Sequence, residues 1–320
     1  MKLGILGTGK IVRELLQVYE GLEIEKTYLL CTQRSLPQAE QLCREYGLEG
    51  VYTDYDALLD ADIDTVYVAL PNHLHFAYTQ MALERGKDVI LEKPATSNLR
   101  ELEELFALAD RNGCCLMEAM TVHHLPGVTA LGKALASIGM IREARLYFCQ
   151  YSSRYDDFKA GKIHPVFDPQ KSGGALYDLN LYNLHAALCL FGMPQGVRYE
   201  AKVERGIDVW GELSLDYGSF SVLCTGAKDR EGEEDSFIRG VSGTLRVREP
   251  FSRLTGYYLN EEWISTGEEH RMHTEFVRIL QILKNRDQQE LTRCRALSLT
   301  AAKLMEQARH QAGIRFGCDE

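Results

Sequence analysis

The sequence predicts an α/β protein: a doubly wound parallel sheet over residues 1–120, then over 121–320 an α+β domain with an open, mainly antiparallel sheet. Two observations predict this division. Up to residue 120, short apolar runs alternate with amphipathic stretches of helical period, and such alternation implies right-handed crossovers between parallel strands. Beyond it the apolar runs become closely spaced, alternate in polarity and are parted by Gly-Asp-type turns, the pattern of an antiparallel sheet. A third observation sets where the parallel sheet starts. The opening run Lys2-Leu3-Gly4-Ile5-Leu6 breaks at once into Gly7-Thr8-Gly9, and a helical pattern begins at Lys10.

In the first domain, strands are predicted at 2–6, 26–31, 65–69, 88–91 and 114–118, and helices at 10–19, 37–46, 74–85 and 99–111. Gly47, Gly86 and Gly113 each follow a helix, the place of a left-handed residue that closes it. In the second domain a helix is predicted at 128–137, and strands at 145–151, 197–204, 209–215, 220–224, 237–241 and 244–247. A helix at 175–191 is inserted early, after a loop marked by Gly161 and Gly173-Gly174, and two helices at 271–284 and 293–312 close the chain.

Composition narrows the function classes. The net charge of −10, with no basic stripe, argues against nucleic acid as a partner. No apolar stretch reaches the roughly 20 residues that span a bilayer, and the N-terminus enters a strand directly, so neither a membrane segment nor a signal peptide is expected. The nine cysteines are odd in number, form no C-x-x-C pair and lie mostly in apolar runs. They read as reduced core thiols of a cytoplasmic protein.

A strand that breaks into a Gly-rich turn and opens a helix presents backbone N–H groups to a pyrophosphate. Gly7, Thr8, Gly9, Lys10 and Ile11 are therefore candidate cofactor residues, with Val12 where a third glycine often sits. The second strand ends in Cys31-Thr32-Gln33-Arg34-Ser35, with no acid to hold a ribose 2′-hydroxyl. The guanidinium of Arg34 and the hydroxyls of Thr32 and Ser35 suit a 2′-phosphate, which favours NADP over NAD. Leu70-Pro71-Asn72 follows another strand, at the sheet edge where ligands bind in such folds, and His73 and His75 come next. No further metal ligands gather at suitable spacing, so His75 is assigned to a loop lining the cofactor and no metal is expected.

Glu92-Lys93-Pro94 ends the strand after that, with Pro94 disfavouring helix at Lys93. A lysine there places positive charge beside a nicotinamide, and Glu92 joins the candidate cofactor residues. In the helix at 175–191, Asp178, Tyr182 and His185 stand at i, i+4 and i+7 on one face of an otherwise Leu-rich segment. Polar side chains so placed need partners; they form either a catalytic constellation or a core hydrogen-bond network.

Together, Gly7-x-Gly9, Glu92-Lys93-Pro94 and Gly173-Gly174-Ala175-Leu176-x-Asp178-x-x-x-Tyr182 resemble the glucose–fructose oxidoreductase / inositol dehydrogenase (Gfo/Idh/MocA) family over nearly the whole chain. The resemblance implies a Rossmann domain and an oxidoreductase that moves a hydride between a nicotinamide and a secondary hydroxyl or carbonyl of a sugar, polyol or cyclic diol. It implies that Lys93 stands at the hydride-transfer site, that Asp178 is the aspartate after the Gly-rich turn, and that Tyr182 is the acid/base. Tyrosine at that place, and Met117-Glu118-Ala119, resemble the dihydrodiol dehydrogenase branch. Asn180 and His185 depart from the commoner pattern, at positions expected to face the substrate or support it. An NAD-dependent glycoside hydrolase working by transient oxidation and a non-catalytic dinucleotide sensor are the alternatives.

A free tyrosine has a pKa of about 10, high for proton transfer at neutral pH, and an ammonium nearby favours the tyrosinate. Lys93 is expected to assist Tyr182 in this way, with Asp178 orienting Lys93 or the substrate hydroxyl. Glu118, Arg154 and His185 are candidate substrate contacts, and His123 and His124 open the second domain. The second face of the antiparallel sheet has no predicted helix cover, so a homodimer through that face is expected.

Overall fold

A computed structural model describes all residues but 233, 268 and 320. The chain forms two compact units, Met1–Met120 with His270–Ser298 and Thr121–Glu269 with Leu299–Glu320.

The first unit is built on a six-stranded parallel sheet in the order β3-β2-β1-β4-β5-β6. Its strands are β1 (Lys2–Leu6), β2 (Lys26–Leu30), β3 (Gly50–Tyr52), β4 (Thr65–Val68), β5 (Asp88–Glu92) and β6 (Leu116–Ala119). The helices α1 (Lys10–Leu16), α2 (Leu36–Tyr46), α3 (Tyr55–Leu59), α4 (His75–Glu84) and α5 (Leu99–Asn112) connect them. The order reverses beside β1, so the loops after β1 and β4 diverge at the switch point where such sheets bind ligands. Asn98 caps α5 by accepting from Glu101 N at 2.8 Å, and Gly113 closes it in the left-handed region. The short β3 and α3 were not predicted; three apolar residues in a row carry no period.

Helix α9 (Arg271–Asn285) belongs to this unit, although the sequence places it with the second domain. Met272, Phe276, Ile279, Leu280, Ile282 and Leu283 are buried in one core with Leu3, Ile5, Leu29, Tyr67 and Ile90. Each such side chain contributes about 1.5–3 kcal/mol on burial, enough for six of them to hold α9 on the sheet.

The second unit carries an eight-stranded sheet, β14-β13-β12-β11-β7-β10-β9-β8. Its strands are β7 (Ile141–Cys149), β8 (Gly196–Glu204), β9 (Ile207–Asp216), β10 (Ser221–Ala227), β11 (Ser236–Gly240), β12 (Thr244–Val247), β13 (Gly256–Leu259) and β14 (Glu262–Ser265). Among the described residues only the β10–β7 pair of this sheet is parallel. Helices α6 (Pro126–Ile138), α7 (Tyr155–Lys159) and α8 (Leu181–Phe191) belong to this unit, and α10 (Gln288–Gln311) contributes its part from Leu299 onward. Leu146, Phe148, Leu213, Leu215, Val222, Cys224, Ile238 and Leu245 form the buried face of the sheet. Arg145, Tyr147, Trp210, Glu212, Leu223, Phe237, Arg246 and Tyr258 alternate with them on the other face and are half-buried or exposed. None of the nine cysteines is in a disulfide, and no described helix is long and apolar enough to cross a membrane.

Candidate active site

In the first unit the candidate site lies at the carboxyl ends of β1, β2, β4 and β5. Gly7 has φ +107, and a Cβ there would meet Ala69 O at 2.9 Å, so only glycine makes this turn. A Cβ on Gly9 would meet nothing within 4 Å. The turn therefore leaves open space beside the start of α1, and the residues fit a dinucleotide phosphate there. Thr8 is buried, Lys10 exposed and Ile11 half-buried, while Val12 is fully buried in the core behind them. Gln38 of α2, which sequence reasoning missed, donates to Thr8 O at 2.8 Å and ties α2 to this turn. After β2, Thr32 and Ser35 form a reciprocal capping box, their hydroxyl oxygens 3.0 Å apart, and Arg34 between them is exposed.

The loops after β4 and β5 are joined by His75, which is completely buried. Its Nε2 lies 2.8 Å from Leu70 O and its Nδ1 2.9 Å from Pro94 O. Leu70 and Asn72 are half-buried and Pro71 exposed on the first of these loops. Lys93, half-buried, follows the last residue of β5, and its peptide bond to Pro94 is cis. Glu92 is buried, and the Lys93 charge acts on its carboxyl. Its Oε1 accepts from the Tyr67 hydroxyl at 2.5 Å and its Oε2 from Lys93 N at 3.1 Å. Burial pushes the Glu92 carboxyl up, the Tyr67 hydroxyl opposing, and raises Tyr67 well above its ordinary value. Glu92 thus sits beneath the turn that presents Lys93. Glu118 is placed similarly: buried, with Oε1 accepting from Ala95 N at 2.9 Å and Oε2 from the Ser298 hydroxyl at 2.5 Å.

In the second unit, the predicted helix at 175–191 starts differently. Leu176–Asn180 form one π-helical turn, and α8 begins only at Leu181. Such wide turns change the phase of side chains along a helix and recur at functional sites. The turn is fastened at several points. Asp208, buried, accepts from Leu176 N at 2.6 Å and from the Tyr199 hydroxyl at 2.7 Å. Gly174 has φ +105, and a Cβ there would also collide with Asp208 Oδ1, so that position is glycine. Asn180 donates to Cys224 O at 2.9 Å, and Asn183 to Asn180 Oδ1 at 3.0 Å and Thr225 O at 3.1 Å. Asn180 therefore packs toward the sheet.

Asp178 accepts from Lys228 Nζ at 2.5 Å. Tyr182 is buried, its ring 5.7 Å from that of Phe148. His185 is completely buried, with Nδ1 2.9 Å from Nε2 of His123. Arg154 is exposed at the start of α7. Tyr67, Lys228 and His123 were not given these partners from the sequence. Lys228, a cation closing the apolar strand β10, carried the one legible signal, since such a residue needs a counter-charge if it turns inward.

Burial pushes the His185 imidazole down to about 3. In the folded protein it stays neutral, whereas in the unfolded chain it protonates near its ordinary value of about 6.5. Its contribution to stability is thus present above that pH and is lost as pH falls below it, by up to about 1.4 kcal/mol per pH unit. Thermal melts of wild type and His185→Leu between pH 7.5 and 5 should show a smaller loss of Tm in the variant; equal pH slopes would contradict the assignment.

The family profile described as "Oxidoreductase family, NAD-binding Rossmann fold" (GFO_IDH_MocA) matches residues 1–120. The scyllo-inositol 2-dehydrogenase (NADP(+)) IolU of Bacillus subtilis (strain 168) is 31% identical over 100% of this chain and 99% of its own. The chain belongs to the Gfo/Idh/MocA oxidoreductase family. The uncharacterized oxidoreductase YgjR of Escherichia coli (strain K12) is 35% identical over 77% of this chain and 76% of its own. A point mutant of KijD10, a 3-ketoreductase from Actinomadura kijaniata in complex with TDP-benzene and NADP, superposes with a TM-score of 0.81 at 25% identity, covering 99% of this chain and 98% of that one. As a Gfo/Idh/MocA member the chain is an oxidoreductase with a nicotinamide-binding Rossmann domain and a mainly antiparallel second sheet.

Proposed function

We propose that this Gfo/Idh/MocA protein is an NADP-dependent oxidoreductase acting on a secondary hydroxyl or carbonyl of a polyol, sugar or cyclic diol, with Tyr182 as acid/base assisted by Lys93. The observation that carries the reading is the fastened turn at 176–180. The turn is fastened by Asp208 and Asn180, its Asp178 carboxylate accepts from Lys228, and Tyr182 follows at the start of the buried helix with its ring against Phe148. The chain-long likeness to an enzyme named for NADP(+) and scyllo-inositol supports the cofactor and substrate class. The exposed Arg34 beside two hydroxyls supports the 2′-phosphate.

Gly7, Thr8, Gly9, Lys10 and Ile11 would hold the pyrophosphate, Thr32, Arg34 and Ser35 the 2′-phosphate, and Leu70, Pro71, Asn72 and His75 the wall of the cofactor cleft. The bound nicotinamide supplies or accepts a hydride. Lys93 provides positive charge that favours the tyrosinate form of Tyr182. Tyr182 takes the hydroxyl proton in oxidation and returns it in reduction. Asp178 orients the substrate by accepting from a hydroxyl. Glu92 and His75 hold the loop that presents Lys93, and Glu118 braces its far side. His185 and Arg154 remain proposed substrate-side residues, the first acting through His123 and the second at the surface.

A panel of inositols, sugars and dihydrodiols, followed by NADPH absorbance, tests the reading. Turnover with NADP(+) on at least one class is expected. NADP binding without turnover on any class, in either direction, would refute it.

The open face of the eight-stranded sheet carries Tyr147, Trp210, Leu223, Phe237 and Tyr258 among paired charges. An apolar face of this kind is proposed to pair with a second copy of the chain. Light scattering is expected to give the mass of a dimer, and Leu223→Glu to shift it toward the monomer; a monomeric wild type would overturn this.

A further inference from the structure

We propose that Lys228 is a positioning residue for the reaction: its buried ammonium holds the Asp178 carboxylate in the orientation that meets a substrate hydroxyl. The inference rests on the role given to Asp178 above. Lys228 is the first residue after β10, and its backbone is locked to the sheet. Its N–H donates to Val209 O at 2.8 Å, and its carbonyl accepts from Ser152 N at 2.9 Å. With the main chain fixed, the side chain turns inward and is only 2% exposed. There Nζ lies 2.5 Å from Asp178 Oδ2 and 3.3 Å from Val166 O, and 4.9 Å from the centre of the Phe167 ring. A buried ammonium is costly unless a counter-charge and further acceptors meet it, and these contacts supply both.

The pair is lopsided. The Asp178 side chain is 35% exposed while that of Lys228 is 2% exposed, so the lysine grips the carboxylate from the inner side. The turn that carries Asp178 does not depend on this grip. Asp208 holds its first amide, and Asn180 fastens its other end to β10. Those bonds hold the backbone of the turn, and Lys228 holds Oδ2 of the Asp178 side chain. A charge-assisted contact is also shorter and more directional than a neutral one, which suits a carboxylate that must keep one orientation while its outer side meets solvent or substrate. Loss of the ammonium should therefore disturb where Asp178 points, not whether the protein folds, because a partly exposed carboxylate can be hydrated.

The test uses the full-length Lys228→Met, Lys228→Arg and Asp178→Asn variants and the double variant Lys228→Met/Asp178→Asn, assayed with the substrate identified by the panel. Lys228→Met is expected to lower kcat/KM about 10–100-fold, the scale of a misplaced positioning contact, with the NADP Kd within about twofold of wild type. Lys228→Arg is expected to recover part of the loss. The double variant is expected to be no worse than Asp178→Asn alone, because both changes remove one coupled unit. Multiplying losses in the double variant, or wild-type kcat/KM in Lys228→Met beside a defective Asp178→Asn, would overturn the inference and leave the role of Asp178 standing. Wild-type kcat/KM in Asp178→Asn would instead refute that role. A crystal structure of Lys228→Met gives a readout independent of turnover: Asp178 is expected to leave its rotamer, and an unmoved carboxylate counts against the inference.

Discussion

Tyr182→Phe is expected to lower kcat by about 10²–10⁴-fold, the usual worth of a positioned general acid/base, while leaving NADP affinity unchanged. The substitution removes one oxygen and keeps the ring. That ring lies 5.7 Å from Phe148 and is buried, so packing survives. The cofactor-binding residues proposed above all lie in the other unit of the chain, so a titration of NADP by fluorescence should give the wild-type Kd. Lys93→Met is the companion variant. It removes the charge held to favour the tyrosinate, and it is expected to depress kcat while the Tyr67–Glu92 bond beneath keeps the loop in place. Near-normal turnover in both variants, on a confirmed substrate, would remove Tyr182 and Lys93 from the mechanism.

Arg34→Ala is expected to raise the KM for NADP by about 10–100-fold and to leave the KM for NAD where it was. A hydrogen bond to a charged group is worth about 1.5–3 kcal/mol, and each 1.4 kcal/mol is about a factor of ten. The neighbouring Thr32 and Ser35 hydroxyls bond each other at 3.0 Å and persist without the guanidinium. Arg34 is exposed, so its loss should change stability by no more than about 0.5 kcal/mol. Parallel changes in KM for both cofactors, or a wild-type preference for NAD, would show that Arg34 does not read the 2′-phosphate.

Much of the fold is legible in the chain because its signals are local. The parallel strands read as short apolar runs between helical periods, and β9 and β10 read as alternating ones. The elements that escaped are those without a period, such as β3 with its three residues, or those whose period names a face but no partner. Helix α9 is of the second kind. Its apolar stripe predicts a buried side, yet nothing in residues 271–285 says that the side meets β1 and β4 rather than the nearer strands in sequence. The start of α8 escaped for a third reason. A π turn differs from an α turn by one residue of phase, and the groups that fasten it, Asp208 and the Cys224 carbonyl, lie some thirty to fifty residues downstream.

The candidate site divides along the same line. Gly7-x-Gly9, Glu92-Lys93-Pro94 and Asp178-x-x-x-Tyr182 are short motifs; the first states its chemistry through its place between strand and helix, and the other two take theirs from the family they resemble together. The groups that orient them are distant in sequence. Tyr67 reaches Glu92 across 25 residues, Lys228 reaches Asp178 across 50, and His123 reaches His185 across 62. The sequence by itself determined the class of fold, because hydrophobic period and turn chemistry act over a few residues, and its short motifs pointed to the family and through it to the residues proposed to react. Only the tertiary structure decided which buried partner each of those residues has. A hydrogen bond or ion pair is set by distance in space, and neighbouring strands bring together residues that no local pattern connects.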